Sequence, residues 1–221
     1  MQNPWLNLRP ESPYILEIDR AAIDRYIQSK RREEARVNCH SIPETFIGNP
    51  DSARVVLLSL NPGDSSSDAE DHKREEMRKA MICNLRHEGQ EHAFYPLNPE
   101  FKETGCGTWW RPRTDELRRA AQLDDETFSQ RLLVIEWFPY HSKRSGLPVK
   151  PICESQSYSL QLAKEMLEKG KLVVGMRAAV RWKSLDPCFE NVPFLKNPQC
   201  GYLSRGNTPG DLFDRMVKAI R

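Results

Sequence analysis

The sequence predicts a single three-layer α/β domain built on a short parallel sheet. Three observations carry that reading. Apolar runs of strand length recur at Val55–Leu60, Leu132–Phe138 and Lys171–Gly175, too continuous for a half-exposed strand and short for a helix. Stretches with helical periodicity separate them. The first run ends abruptly in Asn61-Pro62-Gly63, where Pro62 cannot donate to a ladder and Gly63 can turn the chain. In such folds ligands bind at the carboxyl ends of the strands, which makes Asn61, with one amide donor and one acceptor, the first candidate site residue.

Composition sets the limits. The chain has 221 residues, 38% hydrophobic and 29% charged, with a net charge of +2. That balance neither demands nor excludes nucleic acid. No apolar run reaches membrane-spanning length, and the start MQNPWLNLRPESP lacks the apolar centre of a signal peptide, so the expected compartment is the cytoplasm. The six cysteines have no CxxC spacing, and a cytoplasmic chain keeps them reduced; no metal is expected. There is no GxGxxG and no P-loop, so no nucleotide cofactor is expected either.

Residues 1–52 form an extension packed on a core of residues 53–221. Residues 1–18 are Pro-rich, with apolar anchors at Trp5, Tyr14 and Leu16. A helix is predicted from Asp19 to Arg36 on the face Ile23, Tyr26 and Ile27, and a loop from Asn38 to Asp51. After the first strand, Ser67 and Glu70 have capping-box spacing and open a helix to about Arg86. The segment His92–Trp110 is aromatic and Gly-containing, a candidate functional loop. A helix follows from Thr114 and a short one over 124–131. The second strand ends in Pro139-Tyr140-His141-Ser142. Helices are predicted over 154–168, closed by Gly170, and over 176–185. A fourth short strand is predicted at Val192–Leu195, ending in Asn197-Pro198-Gln199. The last helix takes Thr208 as cap and Pro209 as its first residue.

The order of these turns resembles the uracil-DNA glycosylase superfamily. The resemblance covers roughly residues 53–221. It rests on Leu60-Asn61-Pro62-Gly63 after the first strand, Phe138-Pro139-Tyr140-His141-Ser142 after the second, Val173-Val174-Gly175 followed by a helix, and Asn197-Pro198-Gln199 after the fourth, followed by Tyr202-Leu203-Ser204. The first motif is similar to that of the mismatch-specific uracil/thymine branch. In the second, Gln199 stands where the family has Ser. The resemblance implies a four-stranded parallel sheet flanked by helices, DNA as partner, and excision of an extruded damaged base. It implies that Asn61 positions the attacking water, that Pro62 and Gly63 shape the pocket, and that Asn197 steadies the base carbonyl. A ring from the 94–110 segment, Phe94 or Trp109, would stack on the base. Gln199, Tyr202, Ser204 and Arg205 would touch nucleic acid.

His141, with Tyr140 beside it, stands at the same sheet edge and is a second catalytic candidate; Asp64 is the nearest group for water activation. A second hypothesis keeps the pocket and drops the chemistry: a divergent member binding a nucleobase, nucleic acid or protein partner. Convergence of Arg111, Arg113, Lys143, Arg144, Lys150, Lys196 and Arg205 on Asn61 would favour the first. Dominance of Asp64, Asp68 and Glu70 would favour the second. A Ser hydrolase is disfavoured, because Ser59 lacks a GxSxG elbow.

Overall fold

The computed structural model describes residues 2–144 and 146–221, without the side chain of Glu34. The chain is mixed α/β, with a four-stranded sheet. The elements are α1 (Glu17–Ser29), β1 (Phe46–Ile47), β2 (Val55–Leu58), α2 (Asp68–Asp71), α3 (Glu75–Leu85), α4 (Gly105–Ala121), α5 (Asp125–Arg131), β3 (Leu132–Ile135), α6 (Gln156–Glu168), β4 (Leu172–Gly175), α7 (Ala179–Lys183) and α8 (Leu212–Ile220).

The strand order is β1-β3-β2-β4. β2 pairs in parallel with β3 (Val55 opposite Leu132) and with β4 (Val55 opposite Leu172). Successive side chains of a strand point to opposite faces, and every residue of β2 and β3 is buried, so both faces are covered. α6 packs on β3 and β4, and α8 packs on β2 and α4. No helix of the described residues is long and apolar enough to cross a membrane.

The sheet is mixed, not wholly parallel as the sequence predicts. The edge strand β1 runs antiparallel to β3, with Phe46 opposite Ile135 and Ile47 opposite Val134. Two residues are too few to show any periodicity, so the segment reads as loop. The predicted fourth strand at Val192–Leu195 contributes a single parallel bridge, Gly175 with Phe194.

Helix boundaries also move. The predicted helix to Arg86 divides into α2 and α3. Ser67 makes no side-chain cap, and Asp68 Oδ2 instead accepts from Ser65 N at 2.7 Å. α4 begins at Gly105, nine residues before Thr114, with Thr104 as its cap. α8 begins at Leu212, and Thr208 Oγ1 donates back to Ser204 O rather than capping.

Residues before 53 are built into the core. The carboxylate of Asp19 accepts from the Tyr140 hydroxyl at 2.7 Å and from Ser155 N at 3.0 Å. Trp5 packs edge-on to the Tyr140 ring.

Candidate functional site

The carboxyl ends of β2, β3 and β4 are tied together by the chain that leaves them. Ser59 N donates to Ile135 O, Phe138 N to Leu60 O, and Met176 N to Leu58 O, all at 2.8–2.9 Å. Trp182 Nε1 donates to Ser59 O at 2.7 Å beneath them. Over this edge lies a cavity of about 390 Å³, within the usual range for small-molecule pockets. The turn after β2 lines it through Asn61, Pro62, Gly63 and Asp64. Glu136, His141 and Ser142 come from beyond β3, Met176 and Arg177 from beyond β4, and Cys106 and Trp109 from α4.

Asn61 is held by its own amide. Its Nδ2 donates to Pro62 O at 2.8 Å and to Ser142 Oγ at 3.0 Å. No donor among the described residues reaches its Oδ1, which leaves an oriented acceptor on the cavity wall. The Asn-Pro-Gly turn is what permits this: it ends the ladder and lets the side chain fold back on the next carbonyl.

Glu136 is the residue that most alters the site. It is 4% exposed, its Oε2 has no partner among the described residues, and Ser59 supplies a hydrogen bond. Burial pushes its pKa up to about 8, against the pull of the Ser59 bond and of Arg177 and with a further push from Glu44. At neutral pH the carboxyl therefore carries its proton and offers one donor and one acceptor.

A buried cluster backs the turn. Asp68 is raised to about 6 by burial, with the His141 charge opposing. His72 is lowered to about 3 by burial, with His141 adding to the effect. The His72 ring stands edge-on to His141 at 5.4 Å, and its Nδ1 has no partner among the described residues. In His141, Nδ1 faces Gly63 O at 2.5 Å and Nε2 faces Ile42 O at 2.9 Å. The Glu44 and Asp68 carboxylates stand 3.9 Å from those nitrogens. Both nitrogens are thus engaged, so His141 pins the Gly63 turn to the 42–44 segment.

The other predicted residues separate into two groups. Trp109 lines the cavity, but the Arg113 guanidinium covers its ring at 3.3 Å. Phe94 is buried edge-on against Trp110, and Tyr140 is bonded to Asp19; neither lines the cavity. Asn197 is exposed, and its Oδ1 accepts from Gln199 N at 3.0 Å, closing its own turn. Tyr202 is exposed, and Arg205 pairs with Asp214 at 2.7 Å. Ser204 is half-buried, with its carbonyl accepting from Thr208. None of Asn197, Gln199, Tyr202, Ser204 or Arg205 lines the cavity; Arg177 links that loop to it by donating to Pro198 O and Gln199 O.

Of the seven predicted basic residues, only Lys143 lines the cavity. Arg111 is paired with Asp125 at 2.9 Å. Asp64 and Asp68 line it and Glu70 does not, while Glu44 and Glu136 bring the acidic side chains to four. Glu136 carried a legible signal: it is the one charged residue inside Leu132–Phe138. Glu44, His72 and Arg177 carried none, because only the fold brings them there. Comparison with protein-family models, curated proteins and solved structures found no match to the chain.

Proposed function

We propose that the cavity takes an extruded nucleobase and that the chain hydrolyses the N-glycosidic bond of uracil or a related damaged base in DNA. The observation that carries this reading is the locked Asn61 amide, with its acceptor oxygen on the cavity wall. That oxygen accepts a hydrogen bond from a water and holds it against the anomeric carbon. The water oxygen forms the new bond to carbon. The base leaves with the bonding pair and takes up, by way of solvent, the proton that the attacking water gives up. Glu136, protonated at neutral pH, donates to a base oxygen or nitrogen as charge gathers there; a buried preorganised donor of this kind contributes roughly 2–4 kcal/mol. This gives Glu136 the part that the resemblance assigns to Asn197.

The finer fold assignment belongs to the same proposal. Parallel pairing of β2 with β3 and β4, the added bridge at Phe194, and distinctive turns beyond these strands support a uracil-DNA glycosylase-like core.

The acidic lining favours a second reading, a divergent member that binds a free nucleobase or nucleotide without cutting DNA. With Glu136 protonated, the carboxyl groups of Glu44, Asp64 and Asp68 outnumber the two cations Lys143 and Arg177 at the cavity, which disfavours a polyanion more than a neutral base. A cleavage assay separates the two: oligonucleotides carrying uracil, single-stranded and opposite G or A, with alkaline cleavage of the product. Strand breaks at uracil by the wild type support excision. Their absence with enzyme in excess over DNA removes it and leaves the binding reading, to be tested by thermal stabilisation with nucleobases.

A further inference from the structure

Three of the four arginines of α4 have carboxylate partners. Arg111 pairs with Asp125, Arg118 with Asp115 and Asp125, and Arg119 with Asp115. Arg113 has none among the described residues. Its Nη1 donates to Trp109 O at 2.7 Å, and its Nε is buried without a partner among the described residues. Arg177, beyond β4, also lacks an ion-pair partner among the described residues and bonds only to the carbonyls of Pro198 and Gln199. The two guanidinium carbons lie 3.3 and 4.9 Å from one ring centroid, that of Trp109. Two like charges thus share one aromatic ring, and neither pairs with a carboxylate among the described residues.

The surroundings hold them there. Gly201 has φ +65, and a Cβ at that position would meet Met176 Cε at 2.4 Å, with Arg113 Cδ next at 3.8 Å. The positive φ favours glycine at this turn of the 197–203 loop, which brings its backbone into ordinary contact with Arg113. Leu203 N donates to Arg113 O at 2.8 Å, and the Tyr202 ring lies 5.2 Å from the guanidinium. Arg177 also acts on Glu136, but that carboxyl is protonated at neutral pH and supplies no counter-charge. Burial and the Arg177 charge both weaken the hold of Arg113 on its proton, as two unneutralised cations should.

We propose that Arg113 and Arg177, beside the Trp109 ring, form a phosphate-binding site adjoining the cavity. A phosphate accepts from both guanidinium groups and removes their repulsion. Arg177 and Trp109 line the cavity itself, so a base in the cavity and a phosphate on the arginines belong to one nucleotide. The phosphate comes from a nucleic acid backbone or from a free nucleotide. The site is independent of whether the base is excised, since it concerns binding alone.

The test is binding to the full chain, by calorimetry and tryptophan quenching at low salt. The probes are inorganic phosphate, deoxyuridine 5′-monophosphate, deoxyuridine and a short labelled oligodeoxythymidine. Arg113→Gln and Arg177→Gln are each expected to weaken the phosphate-bearing probes by at least about tenfold; Arg113 does not line the cavity, so Arg113→Gln is expected to weaken deoxyuridine far less. Arg111→Gln removes the same charge from the same helix and should bind as wild type. Tighter binding of the oligonucleotide than of the mononucleotide, with a salt slope that falls in both variants, assigns the site to a strand. Equal or tighter binding of the mononucleotide assigns it to a free nucleotide. The proposal is overturned if millimolar phosphate probes do not bind the wild type. It is equally overturned if folded Arg177→Gln, checked by circular dichroism, binds like wild type, or if Arg111→Gln loses as much. Arg177→Gln alone decides the matter should Arg113→Gln not fold.

Discussion

Asn61 Nδ2 donates to Ser142 Oγ at 3.0 Å, joining the turn beyond β2 to the turn beyond β3. The bond fixes which end of the Asn61 amide is the acceptor on the cavity wall. Asn61→Ala removes that acceptor and should lower base excision by roughly a hundredfold or more. Ser142→Ala leaves Asn61 in place but frees its amide, and should cost roughly tenfold to a hundredfold. Single-turnover cleavage of uracil-containing oligonucleotides measures both. Equal rates in Ser142→Ala and wild type would show that the amide needs no such anchor.

Glu136 ties stability to pH in a direction opposite to the usual carboxylate. Its folded pKa is about 8 against an ordinary 4.5. Between those values the unfolded chain has lost the proton and the folded chain keeps it, so stability falls as pH rises. Glu136→Gln keeps the shape without the titration and should be the more stable protein by about 3 kcal/mol at pH 7. The difference should vanish below about pH 4. Urea midpoints across pH check it. Base binding that depends on the Glu136 proton should weaken above pH 8 in the wild type and not in the Gln variant.

His72 acts in the other direction. Its folded pKa is lowered to about 3 from an ordinary 6.5. As pH falls through this window the unfolded chain takes a proton that the buried ring refuses, and stability falls. His72→Phe loses no bond at Nδ1, which has no partner among the described residues. It should gain about 3 kcal/mol over wild type at pH 4. Asp68, raised to about 6 from 3.8, opposes His72 between those values: its contribution falls as pH rises. Removing His72 should therefore expose a downward slope from pH 4 to 6, read from chemical denaturation. An unchanged acid limb would show that the folded chain protonates His72 as readily as the unfolded chain does.

The three long apolar runs were legible because a strand buried on both faces must be apolar throughout, and β2, β3 and β4 lie within them. Asn61, Pro62, Gly63 and His141 were legible as cavity residues because a strand's carboxyl end is a place of known meaning in an α/β fold. What escaped was set by tertiary contact. β1 exists only because β3 offers it an edge. Phe94 and Tyr140 look like site residues by composition, yet packing against Trp110 and bonding to Asp19 take them into the core. Asn197 spends its side chain on its own turn, and no local pattern distinguishes that from a free amide.

The start of α4 was hidden by two glycines that read as loop and prove to be a packing device. Gly107 is buried in the first turn of the helix, and its N donates to the cap Thr104 Oγ1 at 3.2 Å. A Cβ at this position would stand 2.0 Å from Phe101 O and 2.9 Å from Lys102 O, both backbone atoms that cannot swing aside. Helix propensity alone favours Ala over Gly by about 0.5–1 kcal/mol. The clash outweighs that gain, since forcing a methyl into a filled space costs about 1–3 kcal/mol. Gly107→Ala should therefore lower the thermal midpoint rather than raise it. The first turn must shift to relieve the overlap, and Trp109 lies two residues further along the same turn. Ligand-induced tryptophan quenching should weaken together with stability. A variant of normal or raised midpoint would mean that the 101–102 backbone yields, and that the glycine is not what seats α4 over the cavity.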